Sequence, residues 1–571
     1  MSDRPPISSP VTAEAPPAIE PDPQVAAAPR RAEGAGALAA GVRVVSGLTL
    51  ASRFAGLARD VITARLFGDT LLGSAFRSAY ALPNFFRRLF GEGALSAAFL
   101  PEYAQRRRDD PETARAVAGI VLSLTTLVTC ALTGLIELAL LLRVALFPIE
   151  PDTLLSVRLV MLMLPMMPAV CLAAVLAGML QAQRRFVIPS ATPILLNLFQ
   201  IAAGATFYFG WISDPTRAAF TVGAAALLAS WASVVWALNA LRGQIGWSRV
   251  RDAAPAARAS ARVILERFVP AMLGLGTLQL NTMLDMVIAM WPVWVGPTMF
   301  GRPTPLDDAS NAILSYTQTV YQFPLGVFGI AVATAVFPLL ASSARDKDAF
   351  AGHLRRGVRL SLFIGLPASL GLVLVRHDTV ATIFGGGERS FSPEGLARSA
   401  LVLGMFAPGV WAYSLNHVLT RAYYAVGNTK TPMRIAIASV VTNLSLNLVL
   451  IWSLREAGMA LATTVSALLQ TALLLALASR TLSVRPIDGE TLRAVVRILV
   501  ATALMGACVL AVQHAWPQTE TWFGRAVRLA ACVGAGGLGY LAAAKLLRLQ
   551  ELSWLLTRAP RGSGPSDIGF E

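Results

Sequence analysis

The sequence predicts an all-α, polytopic membrane protein with about fourteen transmembrane helices. Three observations lead there. First, 55% of the 571 residues are AVILMFWYC and only 14% are charged, with a mean hydropathy of +0.59, whereas soluble domains carry roughly 25% charged residues. Second, the apolar residues gather into runs of the ~20 residues that a spanning helix needs. Third, basic residues alternate between successive connections, as they do when every second loop faces the cytoplasm. This excludes most soluble enzymes and every disordered chain.

The elements follow in order. Residues 1–36 are rich in Pro, Ala and Glu without an apolar run, and are expected to be a disordered cytoplasmic tail with no signal-peptide pattern. Spans are expected near 41–65, 72–101, 117–147, 154–180, 191–211, 218–241, 262–291, 311–341, 360–375, 397–420, 433–453, 457–479, 494–513 and 526–546. Pro83 interrupts the second; the third, seventh and eighth are long enough to tilt or bend. Strands are not expected, because helices satisfy their own backbone groups in lipid. Residues 547–571 are expected to form a second cytoplasmic tail.

Loop charge tests this count and sets the orientation. With the N-terminal tail inside, the inside connections hold clusters such as Arg106-Arg107-Arg108, Arg184-Arg185 and Arg355-Arg356. They carry about four times as many basic residues as the outside ones. Both termini are therefore placed in the cytoplasm. The formal charge of +15 arises from 48 basic and 33 acidic residues, and only Lys347, Lys430 and Lys545 are lysines. This charge is dispersed over short loops and forms no soluble basic face, so no nucleic-acid partner is expected.

Chemistry on a covalent bond is not expected either. The chain has no phosphate-binding G-x-x-x-x-G-K-[ST] loop, no His-Glu-x-x-His and no nucleophile elbow. His353, His377, His417 and His514 are scattered, and Cys130, Cys171, Cys508 and Cys532 lie singly in apolar runs without metal-ligand spacing. The reading is a non-enzyme with no cofactor and no firm metal site.

An internal repeat is visible. Phe90-Gly91 followed by Phe99 recurs 238 positions later as Phe328-Gly329 followed by Phe337. A polar turn ending in proline, Arg184 to Pro189, has a counterpart in Gly427 to Pro432. Two similar six-helix lobes, 41–241 and 262–479, with a substrate site between them, are the transporter arrangement.

Charge placed inside the spans points to that site. The first span carries Arg53, Arg59 and Asp60; the second carries Arg77, Arg87, Arg88 and Glu92. A charge at mid-membrane costs ~2.5–3.5 kcal/mol on insertion scales, so such groups face a wet cavity or a partner. On a helix Arg53 and Asp60 share a face, and Arg88 and Glu92 are spaced to pair. Arg65, Arg77 and Arg88 are read as interfacial or structural groups. Arg53, Arg59 and Arg87, with too few acids to neutralise them, are read as an anion-binding cavity. A guanidinium donates two parallel hydrogen bonds to phosphate, so the cargo chemistry is an amphiphile with a phosphate head.

At these residues the sequence resembles the MurJ (MviN) lipid II flippases. The resemblance is carried by Ser52 to Asp60, Ala64 to Gly68 and Leu82 to Ala94, then by Gln322 to Val327, Ala422 to Ala425 and Gly427 to Pro432. It implies the multidrug/oligosaccharidyl-lipid/polysaccharide exporter fold, with two six-helix lobes and two extra helices near 494–546 lining a lipid-tail groove. It also implies alternating access that carries the undecaprenyl-diphosphate-linked peptidoglycan precursor across the bacterial inner membrane for cell wall synthesis. Membrane lipids surround the chain and lipid II is the implied partner. By this resemblance Arg53, Arg59 and Arg87, with Ser52 beside them, hold the diphosphate.

The chain departs from the family pattern at several positions. A second-span acid is replaced by Ser74, and an Asp-Arg pair and a Glu in the eighth span read Gln318, Thr319 and Gln322. These changes leave open an exporter of another polyprenyl-diphosphate oligosaccharide, or of a drug, on the same fold. The resemblance further implies a sodium or other monovalent cation as coupling ion, at Asp285, Asn443, Asn447 and Thr463. The alternative there is plain interhelical hydrogen bonding.

Overall fold

The computed structural model describes residues 30–89, 95–247, 254–387, 389–517, 519 and 521–556. The chain divides into two units, Met1–Gly47 and Leu48–Glu571; in the first, only the helical backbone from residue 30 is described. Helix α1, Arg30–Phe67, thus begins inside the stretch expected to be disordered. Ala32, Ala35, Ala37, Ala39 and Ala40 explain this, alanine being the strongest helix former. Residues 1–29 of that expected tail lie outside the described residues.

The first lobe continues with α2 (Leu71–Phe86), α3 (Leu95–Asp109), α4 (Pro111–Leu146), α5 (Pro151–Met163), α6 (Met166–Ala182), α7 (Val187–Tyr208) and α8 (Pro215–Ala240). Asp110 and Asp214 cap α4 and α8 through their side chains, each followed by a proline in the first turn. That pairing fixes a helix start, because proline gives up an N–H that would be unsatisfied there. Pro165 separates α5 from α6 within the fourth expected span.

The second lobe opens with α9 (Pro255–Ala289) and the short α10 (Trp291–Trp294). A two-residue hairpin follows, β1 (Thr298–Met299) against β2 (Arg302–Pro303), where no strand was expected. It turns on Phe300 and Gly301, both at positive φ, and lies in a connection outside the spans. Then come α11 (Ser310–Pro324), a π turn at Leu325–Gly329, α12 (Ile330–Ser342), α13 (Lys347–Leu374), α14 (Arg376–Phe384), α15 (Pro393–Phe406) and α16 (Val410–Ala425).

Helix α17, Lys430–Thr481, is 52 residues long and would run nearly 80 Å if straight. It does not. Asn443 Nδ2 donates to Thr463 Oγ1 at 3.1 Å and Ser439 Oγ donates to the Ser466 carbonyl at 3.2 Å, while Arg455 sits at φ 54°. Two antiparallel arms therefore reverse at Arg455, and they correspond to the eleventh and twelfth expected spans. Helices α18 (Gly489–Ala515) and α19 (Trp522–Leu546) follow, and α20 (Gln550–Leu556) is helical where a tail was expected.

Each of the fourteen expected segments is thus mainly helical over its described residues, with breaks such as that at Leu164 and Pro165. Nine helices among the described residues are long and apolar enough to cross a membrane, with α17 counted once, and ten if the pair bent by 40° at the π turn is one span. Large side chains such as Met163, Leu176, Tyr316 and Tyr423 fill the lobe cores. Phe363, Ile498, Met505 and Tyr540 join α13 to α18 and α19.

Phe90 and Gly91 lie outside the described residues, yet the offset they share with the second lobe reappears where α2 meets α11. The Ala312 N–H donates to Ser74 Oγ at 2.9 Å and Arg77 Nε donates to Ser315 Oγ at 3.2 Å, each pair 238 residues apart. Two helices related by an approximate two-fold axis touch at equivalent residues where they cross that axis, so α2 and α11 are the paired elements of the repeat.

Candidate functional site

The lobes are tied together at the end that carries the arginine-poor connections. Asp69 accepts from the Ser392 N–H at 2.7 Å and from its hydroxyl at 2.5 Å. Arg389 donates to the Ser213 carbonyl at 3.1 Å. Arg65, read from sequence as an interfacial anchor, is instead a tie between lobes. It donates to the carbonyls of Ile383 and Thr382 at 3.1 and 2.7 Å and stacks over Trp522 at 5.2 Å.

Below these ties lies a cavity of ≈ 280 Å³ between α1, α2, α9 and α11. On α2, Arg77, Tyr80, Ala81, Asn84 and Phe85 line it, recurring at the three- and four-residue spacing of one helix face. Pro83 lies in the last turn of α2, and the π turn that begins at residue 87 brings Arg87 and Arg88 into the same wall. Arg87 Nε donates to Asn84 Oδ1 at 3.2 Å and Arg88 Nη1 to Gln279 Oε1 at 3.5 Å. Glu92, the expected partner of Arg88, lies outside the described residues.

Deeper in, one carboxylate serves two guanidiniums. Asp60 Oδ1 accepts from Arg59 Nη2 at 2.8 Å and from Arg77 Nη1 at 3.0 Å. Arg59 also donates to Tyr80 Oη at 2.8 Å and Asn197 Oδ1 at 2.9 Å. The opposite wall is polar and carries no cation among its described residues: Asn311, Ser315, Gln318, Thr319 and Gln322 follow one face of α11, with Gln279, Thr282 and Asp285 from α9. Among the described lining residues, four arginines against two aspartates make the cavity positive.

Two expected site residues lie elsewhere. Arg53 shares the face of Asp60 but sits seven residues earlier, about 10 Å along the helix, and is not among the lining residues. Its guanidinium packs on Gly326, where any side chain would collide with it, beside the Phe54–Phe323 ring pair at 5.4 Å. Ser52 is also absent from the lining; its carbonyl accepts from Asn197 Nδ2 at 3.2 Å. Arg77, read from sequence as structural, lies in the wall, and the face of α2 it shares with Tyr80, Ala81 and Asn84 is the signal that finds it.

The four residues expected to hold a cation do meet. Asn447 Nδ2 donates to Asp285 Oδ1 at 2.6 Å and to Asn443 Oδ1 at 3.0 Å, and Asn443 reaches Thr463. Turning the Asn443 amide over brings its nitrogen to Asn281 Oδ1 at 2.8 Å and to Asp285 Oδ1 at 3.2 Å. Asn447 Oδ1 is buried without a hydrogen-bond partner, an atom that a bound cation would satisfy. No group of three or more His, Cys, Asp or Glu able to hold a metal occurs among the described residues. One carboxylate amid neutral oxygens suits a hard monovalent ion.

Known proteins share this architecture and sequence. A solved lipid II flippase MurJ in an inward closed conformation superposes with a TM-score of 0.72 over 89% of this chain and 99% of its own, at 21% identity. An inward-facing multidrug resistance MATE transporter of the MOP superfamily superposes with 0.61 over 77% and 98%, at 13% identity. Probable lipid II flippases MurJ from Vibrio cholerae and Rhizobium meliloti are 29% and 30% identical, over 89% and 92% of this chain and 96% of each relative. The family model for the lipid II flippase MurJ matches residues 63–525; with that match across most of its length, the chain belongs to the lipid II flippase MurJ family.

Proposed function

We propose that this chain flips lipid II, the undecaprenyl-diphosphate-linked peptidoglycan precursor, from the inner to the outer leaflet of the bacterial cytoplasmic membrane. It does so as a transporter without covalent catalysis, with both termini in the cytoplasm. The observation that carries this reading is the positive cavity between the lobes, lined by Arg59, Arg77, Arg87 and Arg88. A diphosphate cannot cross hydrocarbon unshielded, and guanidinium forks match its oxygens. Arg87 and Arg88 lie toward the arginine-rich end, where a cytoplasmic head group would enter. Arg53 then acts at the closure between α1 and the π turn, below the cavity. The tail lies along α18 and α19, whose Leu499, Leu504, Leu538 and Leu541 are exposed.

Arginine stays charged at any working pH, so release follows from geometry, counter-ions or the membrane potential, at ~2.3 kcal/mol per charge per 100 mV. Asp285, Asn443, Asn447 and Thr463 would hold sodium or another monovalent cation as coupling ion, and Asp285 also borders the cavity. A cation held there would supply positive charge beside the α11 wall, with Asp285 of α9 and Asn443, Asn447 and Thr463 of both α17 arms as its oxygen donors.

Complementation tests the reading. Cells depleted of their own lipid II flippase should grow when this chain is expressed. Its failure there, with the protein in the membrane in normal amount, would sink the assignment.

A further inference from the structure

Arg77 occupies an unusual place in the cavity. It belongs to α2 of the first lobe, yet its guanidinium rests on α11 of the second. Nε donates to Ser315 Oγ at 3.2 Å, Nη2 donates to the Ser315 carbonyl at 3.0 Å and to Thr319 Oγ1 at 3.5 Å, and the Tyr316 ring lies 4.7 Å below. The wall it covers carries no arginine or lysine of its own. Where the family resemblance puts an eighth-span arginine, this chain has Thr319, the residue that Arg77 reaches.

All three nitrogens of Arg77 donate hydrogen bonds, but its charge is only partly matched. Among the described residues Asp60 is the only carboxylate it meets in an ion pair, and Arg59 claims the same oxygen. One carboxylate cannot neutralise two guanidiniums, and with the arginine side chains 14% and 15% exposed, water screens the excess poorly. The remaining bonds of Arg77 go to neutral oxygens. An anionic oxygen would replace them with shorter, stronger charge-assisted bonds. A group that is half neutralised, bonded mainly to neutral oxygens and lining a cavity is arranged to take up an anion.

We propose that Arg77 contacts the lipid diphosphate, supplying from α2 the positive charge that the α11 wall lacks. The inference rests on the lipid-diphosphate reading of the cavity and assigns a second-lobe contact within it. With Arg59 it forms the deep seat, about 15 Å along α2 from Arg87 and Arg88. The competing role is a neutral clamp that only joins α2 to α11.

Binding of undecaprenyl diphosphate to the full chain in zwitterionic nanodiscs separates the two roles, with thermal unfolding measured on every variant. Arg77→Gln keeps hydrogen-bond capacity without charge and should bind about tenfold more weakly or worse. Arg77→Ala with Thr319→Arg returns the charge to the same wall from the other lobe, and should restore affinity to within a few-fold of the parent. Parental affinity in Arg77→Gln, or a double variant as weak as Arg77→Ala alone, overturns the inference. If the parent chain shows no saturable binding, the lipid-diphosphate reading itself falls and takes this inference with it.

Discussion

The two walls of the cavity are built from equivalent helices and carry opposite chemistry. Arg77, Tyr80, Ala81 and Asn84 of α2 stand, at the 238-residue offset, where Ser315, Gln318, Thr319 and Gln322 stand on α11. The backbone repeat survives because helix packing depends on small contacts at the axis, such as Ser74 against the Ala312 N–H. The charge does not repeat; a head group seated as proposed needs only one positive wall. Here the first lobe holds all four arginines and the second contributes hydrogen-bonding amides, hydroxyls and Asp285.

Breaking the charged wall should have the largest effect. Asp60→Ala leaves Arg59 and Arg77 facing each other with no counter-charge in a largely buried site. Removing one partner of such a group costs about 3–5 kcal/mol, so the unfolding temperature should fall sharply. An unchanged midpoint would mean that the shared carboxylate does not hold this wall together.

Next comes the shape of the cations. Arg59→Lys and Arg87→Lys keep the charge and lose the fork, and flipping in a fluorescent lipid II assay should drop by roughly tenfold or more. Gln318→Ala on the neutral wall should cost far less. Equal losses at the two walls would erase the contrast between them.

Arg65→Lys tests the ties above the cavity. A lysine cannot donate to both the Thr382 and Ile383 carbonyls while stacking on Trp522, so about 1 kcal/mol of lobe closure should be lost. Cysteine crosslinking across Asp69 and Ser392 reads this as slower pairing. Unaltered crosslinking would return Arg65 to the role of an interfacial anchor.

The smallest effect is expected in the loop before α11. Burial pushes the Asp307 carboxyl up, but hydrogen bonds and charge from Arg398, with Ser310 and Arg455 behind them, hold it below its ordinary value. A carboxyl lowered in the folded state stabilises above its unfolded pKa, and that contribution fades as pH falls through the lowered value. Asp307→Asn should therefore lower stability modestly at neutral pH and flatten the acid side of the profile, the two proteins converging below the lowered pKa. A profile of the same shape in both proteins would show that the ion pair is not coupled to folding.

Much of the fold was legible because bilayer physics writes itself into composition. Apolar runs marked each span, and even the reversal at Arg455 falls in the short gap between the eleventh and twelfth. The site was harder. Arg59 and Arg87 could be picked out as charges in apolar sequence, but Arg53 could not be separated from them, since spacing along one helix does not say what stands opposite. Arg77 looked structural because its partners, Ser315 and Thr319, are neutral residues in a distant span. The Asp285–Asn447 pair, 162 residues apart, was reachable only through family resemblance, because no local pattern connects an aspartate on α9 to amides on α17.

The last two helices travel with the second lobe. Tyr540 donates to the Phe363 carbonyl at 2.6 Å, Gln513 to that of Leu374 at 3.0 Å, Trp522 to that of Thr382 at 2.9 Å, and Arg528 pairs with Asp378. The arginines of the cavity belong to the first lobe. If the diphosphate sits on those arginines and the tail along α18 and α19, as proposed, the lipid is moored to both lobes at once. Any rocking of the lobes lengthens or shortens the line between the moorings, and a rigid or short chain would brake the motion. A long isoprenoid has slack to pay out, so the length of the tail becomes a mechanical allowance for the stroke as well as a membrane anchor.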